Sequence, residues 1–358
     1  MSTLPEELPH DREENTQEEN SGEHRQPEMW PLPPLPAEAQ PLEVVEPAGS
    51  TGCTANEPHI ESESTLESPV TGEIEPPRFL FEAEPPPAEP PRVPHLGHLV
   101  ILGLLALGGL LAAGAAIQVA IHFHLFGVDS TIEAMSEIHY TLGSMAILYL
   151  IMLAGCLLSF PPLWHRQFFT GVSWRWATAR RWSPLLVGAA FLCFLLALLN
   201  GWLMPGPEDA PIDKMFRIPG AAWLLFAFGV TFAPFFEELV FRGFLLPALC
   251  TAWDWTAEKL RDKPRSPLAP DGAPRWSLTA MIAGSILTSI PFAGMHAAQT
   301  GNSLGPFLLL VCVSLVLCTV RLATHSLAAS VLVHASYNFM LFALMLFGTG
   351  GFKHLENM

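Results

Sequence analysis

From residue 98 onward the chain is a succession of long apolar runs broken by short polar stretches. The runs cover roughly 98–121, 138–160, 183–203, 221–249, 277–298, 304–322 and 325–348. Crossing the hydrocarbon core of a bilayer takes about 20 predominantly apolar residues. The pattern therefore predicts an all-α fold, a polytopic transmembrane helical bundle of about seven spans. The sixth run is so close to its neighbours that eight is the alternative count. Ser183-Pro184 opens the third run with a cap residue followed by proline at the first helical position, a strong helix start.

Polar residues inside these runs are few, so each one changes the picture. The fourth run contains Pro234-Phe-Phe-Glu237-Glu238-Leu-Val-Phe-Arg242-Gly243. A charged side chain at the centre of an inserted helix costs about 2.5–3.5 kcal/mol, so three within six residues are not retained by chance. Glu238 and Arg242 are four residues apart with the acid first, the favourable order for an intrahelical ion pair. Glu237 points about 100° away from Glu238, given about 3.6 residues per turn, and is expected to face across the bundle. The fifth run ends Ile290-Pro-Phe292-Ala-Gly-Met-His296, and the seventh carries His334-Ala-Ser-Tyr-Asn338 with His and Asn on one face. Taken singly, an intramembrane histidine reads as a packing residue and an asparagine as interhelical glue. Their coincidence with an unpaired glutamate on a third helix is the informative signal.

Charge divides the chain in two. Residues 1–95 hold 21 Asp and Glu against 4 Arg, while residues 96–358 hold 13 acids against 14 bases. The first region also carries 19 of the 34 prolines. Such a segment cannot bury enough apolar surface to offset its ordering entropy, so an acidic, proline-rich, disordered tail is expected over residues 1–95 and a transmembrane domain over 96–358. Met1 to Asn20 show no basic region followed by an apolar run, so no signal peptide is expected. Pro31-Leu-Pro-Pro-Leu-Pro36 contains overlapping PxxP patterns, read here as part of a solvated tether. Cys156, Cys193, Cys250, Cys312 and Cys318 lie in or at the ends of apolar runs without zinc-ligand spacing and read as small hydrophobes.

Loop charge predicts orientation. Ten basic residues follow spans two, four and six, Arg321 among them, against Lys214, Arg217 and Lys353 on the other side. The tail is therefore expected in the cytoplasm and the C-terminus opposite. The segment Pro161 to Trp182, mixing aromatics with arginines, is expected to lie on the cytoplasmic membrane interface.

The set Glu237-Glu238-x-x-x-Arg242, Phe292-x-x-x-His296 and His334-x-x-x-Asn338, in that order on successive apolar helices, resembles the CPBP family. That family includes the type II CAAX prenyl endopeptidases, the abortive-infection proteins and the bacteriocin self-immunity proteins, such as those like lysostaphin resistance protein A. The resemblance covers about residues 180–348. It implies an intramembrane endopeptidase that hydrolyses membrane-anchored protein substrates, of CAAX type or other, with the bilayer and not nucleic acid as its surroundings.

Peptide hydrolysis needs an activated water, a base for its proton and donors for the tetrahedral oxyanion. Glu237 fits the base, and His296 the second group on the same water. His334 and Asn338 can present N–H donors from one helix face, and Glu238 with Arg242 form a structural ion pair. The resemblance implies these same roles at the matching positions. Two alternatives stay open. One is a zinc-dependent variant in which Glu237, His296 and His334 hold Zn²⁺ with water as a fourth ligand. The other is a non-proteolytic transporter or scaffold in which the same charges line a polar cavity.

One distance does not close. At about 1.5 Å per residue, Glu237 lies about 20 Å from the cytoplasmic end of its run, and His296 nearer 30 Å past Trp276. The two depths agree if span five starts well after Trp276 or bends at Pro291.

Overall fold

The computed structural model describes residues 93–352 apart from 208–209, 219, 263–267 and 269–273. The disorder expected of the tail, and its PxxP stretch, fall on residues outside these. Among the described residues, seven helices are long and apolar enough to cross a membrane: α1 Leu96–His122, α2 Ile138–Trp164, α3 Ser183–Leu203, α4 Ala221–Arg261, α5 Leu278–His296, α6 Leu304–Thr324 and α7 Leu327–Gly348. The protein is an integral, multi-pass helical membrane protein.

Its helices pack in two groups. In one, α1 lies along α2, and in the other α3 lies against α6 and α7, with α5 wedged between α4 and α6. Lipid is as apolar as leucine, so close backbone approach through small residues matters more here than apolar burial. Gly155 of α2 illustrates this, since a Cβ there would fall 2.4 Å from Leu105 Cδ2 of α1.

Three boundaries differ from the expectation. Helix α3 does start at Ser183, but Trp182 is its cap and Pro184 occupies the first turn. Helix α2 continues through Pro161 and Pro162 to Trp164. The segment after it does not simply lie on the interface. Trp164, Phe168 and Val172 are buried, while Trp176 and Trp182 stay exposed. The buried ones stack inward, Trp164 on Phe160 at 4.6 Å between ring centroids. This segment also grips the turn between α6 and α7, where Ser173 O accepts from Leu327 N at 3.0 Å and Arg175 O from Ser326 Oγ at 2.9 Å.

The third difference closes the open distance. Helix α5 begins two residues after Trp276, and it is α4 that is longer than expected, reaching Arg261. Asp254, on that extension, accepts from Ser277 N at 2.9 Å and from Ser277 Oγ at 2.5 Å, while Ser277 Oγ in turn caps Ala280 N. From Asp254 back to Glu237 is about 26 Å of helix, and from Ser277 to His296 about 28 Å, so the two side chains arrive at one level.

Candidate active site

Glu237 reaches the bundle interior because α4 is interrupted on both sides of it. Pro234 has no N–H for the carbonyl of Val230, and its ring crowds that carbonyl. The helix breaks at Thr231, whose φ and ψ are −115° and −70°. The Gly229 carbonyl, at the end of the preceding segment, accepts from Asn338 Nδ2 at 2.8 Å, so α7 bridges the break. Beyond the two acids, Leu239–Leu245 wind as a π-helix. Such turns are uncommon and concentrate at functional sites. Arg321 Nε steadies this one by donating to the Arg242 carbonyl at 3.2 Å.

The two glutamates diverge from this short segment. Glu238 is fully buried, and its Oε1 accepts from Arg242 Nη1 and from His334 Nδ1, both at 2.9 Å. Arg242, equally buried, turns Nη2 to Ser314 O at 3.0 Å and Ser314 Oγ at 2.7 Å. The ring of Phe292 lies 4.6 Å from the guanidinium carbon, a cation–π contact in a dry setting. A single network thus ties α4 to α5, α6 and α7.

Glu237 faces the other way, into a cavity. Its Oε2 lies 3.7 Å from His296 Nε2 and 3.8 Å from His334 Nε2. Both gaps exceed a direct hydrogen bond, and both suit one water lying about 2.8 Å from each of two partners. The far side of each ring is pinned. His296 Nδ1 is 2.9 Å from Phe292 O, which can only accept, so that nitrogen carries the proton. His334 Nδ1 is likewise the donor to the Glu238 carboxylate. In their neutral forms the two imidazoles therefore point unprotonated Nε2 lone pairs at the carboxylate of Glu237.

The cavity holds about 410 Å³, within the usual range for a ligand site. Glu237, His296, His334 and Asn338 all line it, and its remaining walls are largely apolar, including Leu225, Phe228, Phe342 and Met345. Of the candidate site residues, Glu237, His296, His334 and Asn338 fall on this cavity, and Glu238 and Arg242 in the network behind it. The three side chains considered as zinc ligands do converge, yet among the described residues no group of three or more His, Cys, Asp and Glu has metal-holding spacing.

Three contributors escaped the sequence reading. Arg321 counted there as a loop base, but it is buried in the last turn of α6. Its position inside an apolar run was the available signal. Ser314 gave none, because small hydroxyls are ordinary in membrane helices. Gly229 contributes only a carbonyl, exposed by a break that Pro234 could have announced.

Residues 219–340 match the family of type II CAAX prenyl endopeptidase Rce1-like proteins. No curated protein and no solved structure matches the chain at a significant level.

Proposed function

We propose, from the match of residues 219–340 to the type II CAAX prenyl endopeptidase Rce1-like family, which supports a CPBP-family intramembrane protease, that the chain hydrolyses peptide bonds of membrane-anchored proteins by water activated between Glu237 and two histidines. The observation that carries this reading is the convergence of three groups from three helices. Glu237 Oε2 stands 3.7 and 3.8 Å from two Nε2 atoms whose rings are each held from behind. A structural network would spend its acid on a base in direct contact, as Glu238 does with Arg242.

In this mechanism a water donates one hydrogen bond to Glu237 and the other to an Nε2 lone pair, of His296 foremost. Its oxygen attacks the scissile carbonyl as Glu237 takes the proton, and the proton then passes to the leaving amine. The amide of Asn338 has a second N–H besides the one given to Gly229, and it serves as donor to the developing oxyanion. His334 can donate from Nε2 only as the imidazolium, whose charge the Glu238 carboxylate on Nδ1 offsets. Phe292 acts behind the scene, holding His296 with its carbonyl and covering Arg242 with its ring. The apolar walls accept an extended, largely apolar segment or a lipidated end. CAAX-type substrates are the class that the family match favours.

The test is Glu237→Gln, assayed in detergent with fluorogenic peptides, prenylated and plain. Turnover should fall about 10²–10⁴-fold, the usual contribution of general acid–base groups, with the melting temperature unchanged. The wild-type activity should survive a chelator. Hydrolysis at the wild-type rate by Glu237→Gln would sink the assignment, and loss on chelation restored by zinc would favour the metal variant.

A further inference from the structure

The connections that hold most of the arginines and lysines are residues 165–182, between α2 and α3, and 262–277, between α4 and α5. These two basic connections differ. The second interleaves Asp262 and Asp271 with its bases, whereas the first carries Arg166, Arg175, Arg180 and Arg181 and no acid. Within it, Arg166, Arg180 and Arg181 form no hydrogen bond or ion pair with any described residue. Arg180 and Arg181 end the short helix Trp176–Arg181 and are exposed, as are Trp176, Trp182 and Phe169 on the same segment. Guanidinium groups without partners call for anions, and exposed indoles beside them belong at the level of lipid headgroups. A soluble anion would satisfy the arginines alone. An anionic phospholipid satisfies both, with its phosphate on the arginines and its upper chain against the rings.

The same segment is fastened to the helix that carries Glu237. Val172 O accepts from Arg321 Nη2 at 3.5 Å, and Arg321 Nε donates to the Arg242 carbonyl at 3.2 Å, inside the π-helical turn that follows Glu238. The ring of Trp174 meets that of Phe235 edge to face at 5.6 Å between centroids, two residues before Glu237. We propose that residues 165–182 bind the headgroups of anionic phospholipids, and that the occupied segment holds α4 so that Glu237 stays opposite its two histidines. Arginine matches a phosphate with paired N–H donors. The cytoplasmic leaflet, where basic connections are expected, is the one rich in anionic lipid. Headgroup binding is independent of the chemistry at Glu237, whereas its effect on turnover rests on the hydrolytic reading above.

The experiment titrates the full chain in detergent micelles with phosphatidylglycerol, with phosphatidylcholine and with inorganic phosphate. Melting temperature and hydrolysis of the fluorogenic peptide are read in parallel. Phosphatidylglycerol should raise both the melting temperature and kcat with KM steady, and the other two should leave them unchanged. High salt should weaken the response. Each arginine lost should raise the lipid midpoint about fivefold. The pair Arg180→Gln and Arg181→Gln should therefore shift it about 25-fold, and adding Arg166→Gln about 10²-fold, by the same scaling. Without anionic lipid both variants should melt with the wild type, since these side chains hold nothing in the protein. A wild-type midpoint in the variants, or inorganic phosphate as effective as phosphatidylglycerol, would overturn the lipid site. Stabilisation by phosphatidylglycerol with no change in turnover would overturn the link to Glu237. A lipid shift lost in the variants, with no peptide cut in any lipid, would overturn the protease reading and leave the lipid site standing.

Discussion

The two ends of the bundle solve opposite problems with the same helices. At the end of the basic connections, aromatic rings from α2, α4 and the segment after α2 fill the space, and Arg321 reaches the Val172 carbonyl at 3.5 Å to hold that segment down. At the other end α2, α4 and α7 spread around a cavity that reaches Glu237. The charged network of Glu238, Arg242, Ser314 and His334 sits at the boundary. A buried ion pair is costly unless its geometry is fixed and its remaining atoms are satisfied. The packed end supplies the rigidity, and the hollow end supplies the open space beside Glu237. Separating the two lets one helix, α4, carry both a fully desolvated acid and a solvent-reaching one at adjacent positions.

The boundary is where this contrast breaks most sharply. Arg242→Ala strands the Glu238 carboxylate and should destabilise the protein by about 3–5 kcal/mol, the usual cost of halving a buried pair. The double change Glu238→Gln with Arg242→Gln should be milder, since Glu238 Oε2 and Arg242 Nε already lack partners among the described residues. Thermal denaturation in detergent gives the ranking, and a double variant less stable than Arg242→Ala would refute the pairing.

In the hollow end, Asn338→Ala should lower kcat about 10²–10³-fold with little change in KM, as for a lost oxyanion donor. Combined with His334→Ala, the losses should be less than additive, because both groups serve one developing charge. A variant that melts early yet turns over normally would make Asn338 a strut for the break at Gly229 and nothing more.

Glycines sharpen the comparison at the smallest scale. In the packed end, a Cβ on Gly171 would stand 2.2 Å from Trp164 Cε3. Gly171→Ala should therefore cost about 1–3 kcal/mol as an overpacking change. Gly143, on α2 at the hollow end, has nothing within 4 Å of such a Cβ. Gly143→Ala should be neutral or stabilise by up to about 1 kcal/mol through helix propensity. Equal melting temperatures for the two variants would erase the proposed difference in packing.

The membrane spans were legible because hydropathy over about 20 residues is a coarse quantity that tolerates local irregularity. The third run, 183–203, coincides with α3 end to end. Where the reading fell short, the reason lies outside hydropathy. The end of α4 lies beyond 249 because Thr251, Asp254 and Glu258 continue a helix that is no longer apolar. The inward turn of Trp164 and Phe168 depends on partners from α1 and α4 that no local pattern announces. At the site, the divergence of Glu237 from Glu238 follows from helical geometry alone, and the structure brings both histidines to the first and one of them to the second. The tie from Asn338 to Gly229 and the π-helical winding were not legible, because each arises from a backbone irregularity on another helix or in the residues between known motifs.

That winding gives Leu239–Leu245 slack. A wide turn accommodates its residues by slowing the screw of the backbone, so the stretch works as a phase adjuster between two rigid rods. Removing one residue that touches nothing would let the stretch revert to an ordinary screw. The two changes oppose each other, because six residues at about 100° each advance the backbone about as far as seven in the wide turn. Glu237 would keep its facing toward the two imidazoles. A residue removed from the ordinary helix on either side has no such offset, and would turn one rod against the other by about 100°. The candidate site is therefore tolerant of a lost residue in its widest turn and intolerant of one in the ordinary turns beside it.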